Sequence, residues 1–352
     1  MAWARVDFLE TGDSYYKAVL ASIGEARHSV LVEKYIFRND QTGKQILSAM
    51  ASARQKGARV YLRVDGVGSR DEAPALSDFC RSKNIEFEVF HPLPFAAFAS
   101  FFRSLKLINR RTHRKLVIVD GLVAFSGGRN VDDVESERCS GSQAWHDLSV
   151  KLEGPSVAKL VQAFWMRTFR RHPSHDFLLN YTWRLKLARN TWFVRKLQRS
   201  RKRFWVVTPY FAPTPAMLFQ IFLATKRGVD VRLILPQKID VELSRMAARA
   251  AYDRLLRWGV RIYEFQAKVL HRKLWLIDDT ALVGSGNLNH RSFMHDLELD
   301  VILRESSDVK RAEELFLADQ VMSRRMELRD MERLPAWKRA FYWLASWLVY
   351  WL

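Results

Sequence analysis

Short runs rich in β-branched and aromatic residues alternate along the chain with longer stretches whose apolar positions recur at helical spacing. The runs at 29–37, 59–64 and 86–90 predict strands. Between them, 43–54 and 74–82 predict helices. The same order returns further on: strand 204–209, helix 215–226, strand 229–235, helix 241–258, strand 261–265. Such alternation predicts an α/β architecture with a largely buried sheet. A helix over 155–172, with Pro155 near its start, closes the first set, and one over 307–326 closes the second.

The two sets are copies of one design. The stretch THRKLVIVDGLVAFSGGRN at 112–130 returns as LHRKLWLIDDTALVGSGN at 270–287. His113, Lys115 and Asp120 recur as His271, Lys273 and Asp278, each 158 positions later. Segment 56–64 resembles 227–235, and 85–90 resembles 260–265. DLSVKL at 147–152 answers ELDVIL at 298–303. The expected organisation is a first lobe over 1–172, a basic connecting segment over 173–203, a second lobe over 204–326 and an amphipathic aromatic tail over 327–352. The first copy carries 17 extra residues before its histidine, among them Phe95, Phe98, Phe101 and Phe102, followed by Arg103, Lys106, Arg110 and Arg111. The joint at 167–203 holds twelve Lys and Arg against one acid, Asp176, with Trp183 and Trp192 interleaved.

Composition narrows the function classes. Of 352 residues, 48% are hydrophobic, enough for two domain cores, which excludes disorder as the main state. Cys80 and Cys139 lie far apart, which excludes a disulfide scaffold and a Cys-rich zinc module and fits a reducing compartment. The net charge of +19 calls for an anionic partner, either nucleic acid or an anionic membrane surface. Asp7 and Glu10 interrupt the N-terminal stretch, so no secretion signal is expected there. No window reaches the ~20 apolar residues of a spanning helix.

On a strand, the histidine and lysine of each motif share one face, and Arg114 or Arg272 between them takes the other. An ammonium beside an imidazole disfavours its protonation and keeps it nucleophilic. It also supplies charge for an anionic oxygen. Two such pairs meeting across a pseudo-two-fold would surround one phosphoryl group, one histidine attacking and the other protonating the leaving oxygen. This chemistry requires no metal and no cofactor, because the lysines neutralise the phosphoryl charge.

The duplicated HxKxxxxD, followed by GGRN at 127–130 and GSGN at 284–287, resembles the phospholipase D superfamily. Within it, EKYIF (33–37), FHPLP (90–94), WHDLSVKLEGP (145–155) and VVTPYFAP (206–213) look most like bacterial cardiolipin synthases of the short type without N-terminal transmembrane helices. The resemblance implies two tandem α/β/α sandwich lobes with the active site between them. It implies His113 as the nucleophile that forms a phosphohistidine and His271 as the general acid. Lys115, Lys273, Asn130 and Asn287 would bind phosphate oxygens, Asp120 and Asp278 would support, and Asp147 and Glu298 would orient the histidines. The turn between Asp278 and GSGN is one residue shorter than its counterpart after Asp120, which is expected to shift Asn287 slightly.

The implied reaction passes a phosphatidyl group to phosphatidylglycerol, giving cardiolipin, with phosphatidylglycerol or phosphatidylethanolamine among the candidate donors. The implied place is the bacterial cell membrane, peripherally on its cytoplasmic face. Trp343, Trp347 and Trp351 in the tail, with Lys338 and Arg339 ahead of Trp343, suit a helix lying in a lipid interface, while a helix packed on the protein's own core fits the same pattern. The 91–111 insert reads either as a membrane-facing lip or as a packed loop. The main alternative is a phospholipase D-type phosphodiesterase that hydrolyses phospholipid or nucleic acid with the same residues. The aromatic tail has no evident use on DNA, so nucleic acid is the minority partner.

Overall fold

The structure, a computed structural model, describes residues 2–92, 109–165 and 174–348. The insert residues Phe95, Phe98, Phe101, Phe102, Arg103 and Lys106, the joint residues 166–173 and the tail end with Trp351 lie outside that description.

The first half runs β1 (Arg5–Leu9), α1 (Gly12–Glu25), β2 (Ser29–Lys34), α2 (Gln41–Gln55), β3 (Arg59–Asp65), α3 (Ala73–Ser82), β4 (Glu86–Phe90), β5 (Leu116–Val119), β6 (Val123–Gly127), α4 (Glu137–Ser140), β7 (Ser149–Glu153) and α5 (Ser156–Trp165). The second half begins with β8 (Phe177–Leu179), α6 (Trp183–Arg199), β9 (Arg203–Val207), α7 (Pro215–Lys226), β10 (Asp230–Lys238), α8 (Glu242–Ala250) and α9 (Tyr252–Arg257). It continues with β11 (Arg261–Val269), β12 (Leu274–Ile277), β13 (Thr280–Gly284), α10 (His290–Met294), β14 (Leu299–Leu303), α11 (Ser306–Val321), β15 (Ser323–Arg325), α12 (Leu328–Glu332) and α13 (Ala336–Leu348).

The duplication extends to topology. The first sheet is ordered β1-β7-β6-β5-β2-β3-β4, and the second β8-β14-β13-β12-β9-β10-β11 with β15 added at its edge. In each, three parallel strands (β2-β3-β4, β9-β10-β11) meet an antiparallel set at the motif strand: β2 pairs β5 and β9 pairs β12. The basic segment 173–203, expected to connect the lobes, supplies β8 and α6, which stand to the second sheet as β1 and α1 stand to the first. Its cationic composition conceals an ordinary helix: Thr182 caps α6 by accepting from the Leu185 N–H, and Leu185, Phe193 and Leu197 are its buried face.

The alternating positions of the motif strands join the halves. Leu116 and Ile118 of β5 and Leu274 and Leu276 of β12 enter one shared core, closed by Leu160 and Phe164 of α5 and Leu315 and Phe316 of α11. The intervening Val117 and Val119 face a core with α1 and α2, while Trp275 and Ile277 face one with α7 and α9. Both faces of each sheet are therefore covered, which is why its strands are apolar at successive positions. Among the described residues, no helix is long and apolar enough to cross a membrane.

Candidate active site

β5 and β12 begin just after the motif lysines, so His113 and His271 stand at equivalent ends of the two sheets. Two parallel bridges join the halves there, Thr112 with Leu297 and His146 with Leu270. The His113 N–H donates to the Leu297 carbonyl at 2.9 Å, and the His271 N–H to the His146 carbonyl at 2.8 Å. The next residue after each acceptor is a carboxylate. Glu298 Oε2 lies 3.1 Å from His113 Nδ1, and Asp147 Oδ2 lies 2.6 Å from His271 Nδ1. Each histidine thus leans on a carboxylate from the opposite half.

Both carboxylates are fully buried, which by itself opposes ionisation. His113, Lys115 and the Ser285 hydroxyl overcome that cost and hold Glu298 at about 2. Lys273 and His271 hold Asp147 well below the usual carboxylate range. The motif lysines curl back on their own strands: Lys115 Nζ donates to the His113 carbonyl at 2.8 Å, and Lys273 Nζ to the His271 carbonyl at 2.5 Å. Burial lowers the pKa of both amines, and Lys273 lowers that of Lys115 further, so the two ammonium groups share one small region. Burial and Lys273 depress the His271 imidazole as well, against the pull of Asp147.

Arg114 and Arg272 point away from this centre. Arg114 Nη2 is 2.8 Å from Glu33, and Arg272 Nη1 is 2.9 and 2.8 Å from the two oxygens of Asp319. Asp319 also holds His146 Nε2 at 2.7 Å, so an α11 carboxylate braces the chain beside Asp147.

Asp120 and Asp278 are not at the histidines. They sit at the far ends of β5 and β12, each at positive φ (53° and 48°). Asp120 accepts from the backbone N–H of Arg27, His28 and Ser29 at 2.7–2.9 Å, and Asp278 accepts from Arg201, Lys202 and Arg203. Each pins the entrance of the neighbouring parallel strand.

Asn130 and Asn287 return to the site side, buried at the ends of the glycine turns. The Asn130 N–H donates to Glu135 Oε1 at 3.2 Å, and the Asn287 N–H to Ser292 Oγ at 3.0 Å. The two asparagines are therefore anchored alike. The turns differ in how they meet their carboxylate. A Cβ at Gly128 would lie 2.2 Å from Asp147 Oδ1, so glycine is required there. The matching Ser285 instead donates to Glu298 Oε2 at 2.5 Å, and Ser292 donates to Glu298 Oε1 at 2.6 Å. A buried arginine underlies each turn. In the first half it is Arg129 of the turn itself, 2.8 Å from the Asp147 carbonyl. In the second it is Arg189 of α6, 2.7 Å from Asp300 and occupying space that only Gly286 leaves open.

Several residues at the site carry roles that the sequence did not assign them. Glu135 lies buried between Arg129 (3.4 Å) and His271 Nδ1 (3.9 Å), its pKa raised by burial and by Asp147. Glu135, Asp147 and His271 bring one donor atom each within 4.8 Å, an arrangement able to hold a cation. Arg129 and Lys273 already place positive charge against it. Aromatic rings line the histidines: Tyr35 sits edge-on to His113 at 5.2 Å, and Trp145 and Tyr210 lie 5.2 and 6.4 Å from His271. Arg111 Nη2 is 2.8 Å from Asp65, whose other oxygen accepts from the Thr112 N–H at 2.8 Å, fixing the chain as it enters the first motif.

An α/β lobe built twice, with a histidine, a lysine and an asparagine from each copy converging where the copies meet, defines a duplicated-motif enzyme. Residues 193–320 match the family model described as "Cardiolipin synthase, PLD-like domain". Cardiolipin synthase B of Escherichia coli (strain K12) is 31% identical over 324 residues, covering 86% of this chain and 76% of the relative. Cardiolipin synthase A of Pseudomonas entomophila is 29% identical over 349 residues, covering 94% and 72%. In fold, the chain is similar to phosphatidylserine synthase of Haemophilus influenzae Rd KW20, with a TM-score of 0.73, 12% identity and coverage of 99% and 95%. It is also similar to polyphosphate kinase of Porphyromonas gingivalis, with a TM-score of 0.63, 13% identity and coverage of 90% and 50%. The chain belongs to the phospholipase D superfamily, in the cardiolipin synthase family. It is an enzyme of that superfamily, and its relatives support phosphatidyltransferase chemistry.

Proposed function

We propose that the protein transfers a phosphatidyl group through a phosphohistidine to phosphatidylglycerol, forming cardiolipin. The observation that carries this reading is the crossed pair of imidazole–carboxylate contacts, which ties up Nδ1 of both histidines and supports a reaction in which the two Nε2 atoms serve one substrate. His113 Nε2 attacks the phosphorus of a donor lipid. His271, protonated as the phosphodiester anion enters, gives its proton to the departing oxygen, so glycerol leaves when the donor is phosphatidylglycerol. In the second half-reaction His271 takes the proton of an acceptor phosphatidylglycerol hydroxyl. That oxygen attacks phosphorus, and the bond to His113 breaks. Lys115 and Lys273 neutralise the phosphoryl oxygens, with Asn130 and Asn287 as further donors.

Phospholipid substrates and the outward aromatic side of α13, where Trp337, Phe341 and Leu344 are exposed, support attachment to an anionic membrane surface. Labelled phosphatidylglycerol vesicles, incubated with the protein in EDTA and followed by lipid analysis, test the reading. Cardiolipin and glycerol are expected. Phosphatidic acid as the sole product would make the protein a hydrolase, and cleavage confined to DNA in a parallel assay would make it a nuclease.

A further inference from the structure

The second half holds a cavity of about 490 Å³. Phe211, Leu218, Ala250 and Trp343 form apolar walls, and His290 and Arg254 stand among its polar positions. Two segments carry it to the candidate active site. Tyr210 faces the His271 ring, and the next residue, Phe211, is already in the cavity wall. Asn287 ends the second motif, and His290 lines the cavity three residues later. These segments are stitched together: the Ala212 N–H donates to the Leu288 carbonyl at 3.0 Å, and the His290 N–H to the Ala212 carbonyl at 2.8 Å. The outer wall is α13, which is seated on α8 through buried Ala345 and through Arg249 Nη1, 3.4 Å from the Tyr342 hydroxyl.

We propose that this cavity takes an acyl chain of the phospholipid substrate, with Trp343 and Ala250 setting the chain length accepted. The proposal rests on the phosphatidyl-transfer reading above. The chains of a phospholipid begin only a few bonds from its phosphate. A phosphodiester held at the histidines therefore brings a chain to the Tyr210–Phe211 edge. The volume falls in the ~300–1,000 Å³ range of ligand cavities. Each methylene buried there strengthens binding about fourfold. His290 and Arg254 suit the glycerol and ester end, which carries the polar atoms.

The test pairs transfer kinetics with fluorescence. Ala250 is partly exposed on α8, so Ala250→Phe narrows the cavity without entering the core. Ala250→Phe should lower kcat/KM for long-chain phosphatidylglycerol in mixed micelles about fifteenfold, the loss of roughly two buried methylenes, and leave short-chain phosphatidylglycerol nearly unchanged. Loss of both activities alike, or of neither, overturns the proposal. Independently, long-chain phosphatidylglycerol with brominated chains should quench the wild-type tryptophan emission more than that of Trp343→Phe. Equal quenching overturns the proposal, and is the result expected if the chain's own residues 349–352 or a second copy fill the cavity. If the wild type turns over neither lipid, the transferase reading fails, while the quenching still decides the cavity.

Discussion

The crossed carboxylates make Glu298→Gln the most informative substitution. Glu298 is fully buried and accepts from His113 Nδ1, Ser285 Oγ and Ser292 Oγ. Glutamine keeps the shape and most of the hydrogen bonding, because its oxygen can serve His113 and Ser285 while its amide faces the Ser292 hydroxyl, which accepts as readily as it donates. What disappears is the charge. The groups around Glu298, His113 first and then Lys115 and the Ser285 hydroxyl, hold it at about 2 against an ordinary 4.5 despite burial, a preference of about 3 kcal/mol for the carboxylate shared among them. The His113 share of that preference is the electrostatic support the site extends to positive charge developing on His113 during phosphoryl transfer. Its loss should reduce kcat about a hundredfold with little change in KM. The assay is transfer from labelled phosphatidylglycerol, with circular dichroism to establish folding. Activity within about threefold of wild type in a folded Glu298→Gln variant would mean that the Glu298 charge does not support the reaction. The same charge sets a stability window. A depressed carboxylate contributes fully above its ordinary pKa, and the contribution is lost as pH falls towards about 2. The stability gap between wild type and Glu298→Gln should therefore be widest near neutrality and shrink below pH 4.5.

Asp120→Ala should act on the fold rather than the chemistry: three backbone amides lose their acceptor, so thermal stability should fall by about 2 kcal/mol while kcat of the folded protein stays near wild type. A large kcat loss at unchanged stability would place Asp120 in the reaction. His271 should titrate near pH 4 in the empty protein, because burial and Lys273 disfavour the imidazolium, and vanadate in the phosphate position should raise that value by opposing Lys273. Histidine NMR reads both, and an ordinary titration near 6.5 in the empty protein would contradict the account of the site.

The α/β order, the repeat and the motif strands were legible because they rest on local pattern: β5 and β12 face a core on both sides, and that is written in the unbroken apolar runs LVIV and LWLI. The start of the second copy was hidden. β8 has only three residues, and α6 buries a narrow stripe under a cationic surface, so composition suggested a connector. Asp147 and Glu298 were legible, through the resemblance, as carboxylates that orient the histidines, but which histidine each one meets was not. Their contacts span 124 and 185 positions and cross between the halves, and no local pattern encodes that. Glu135 was lost in an acidic stretch that reads as solvated surface, although Arg129 six residues earlier is the charge that accompanies its burial. Asp120 and Asp278 repeat as strictly as the histidines, yet their spacing carries them to the other end of the strand, where they hold β2 and β9 in place.

In the proposed reaction a histidine from one copy of the fold carries the phosphatidyl group while the histidine of the other moves the proton. Trapping that intermediate tests it most directly. The protein is mixed with labelled phosphatidylglycerol, quenched under mildly alkaline conditions that preserve phosphohistidine, and the labelled peptide is mapped. Label on His113, absent in His113→Ala and accumulating in His271→Ala, is the predicted result. Cardiolipin formation with no label on either histidine would contradict the account.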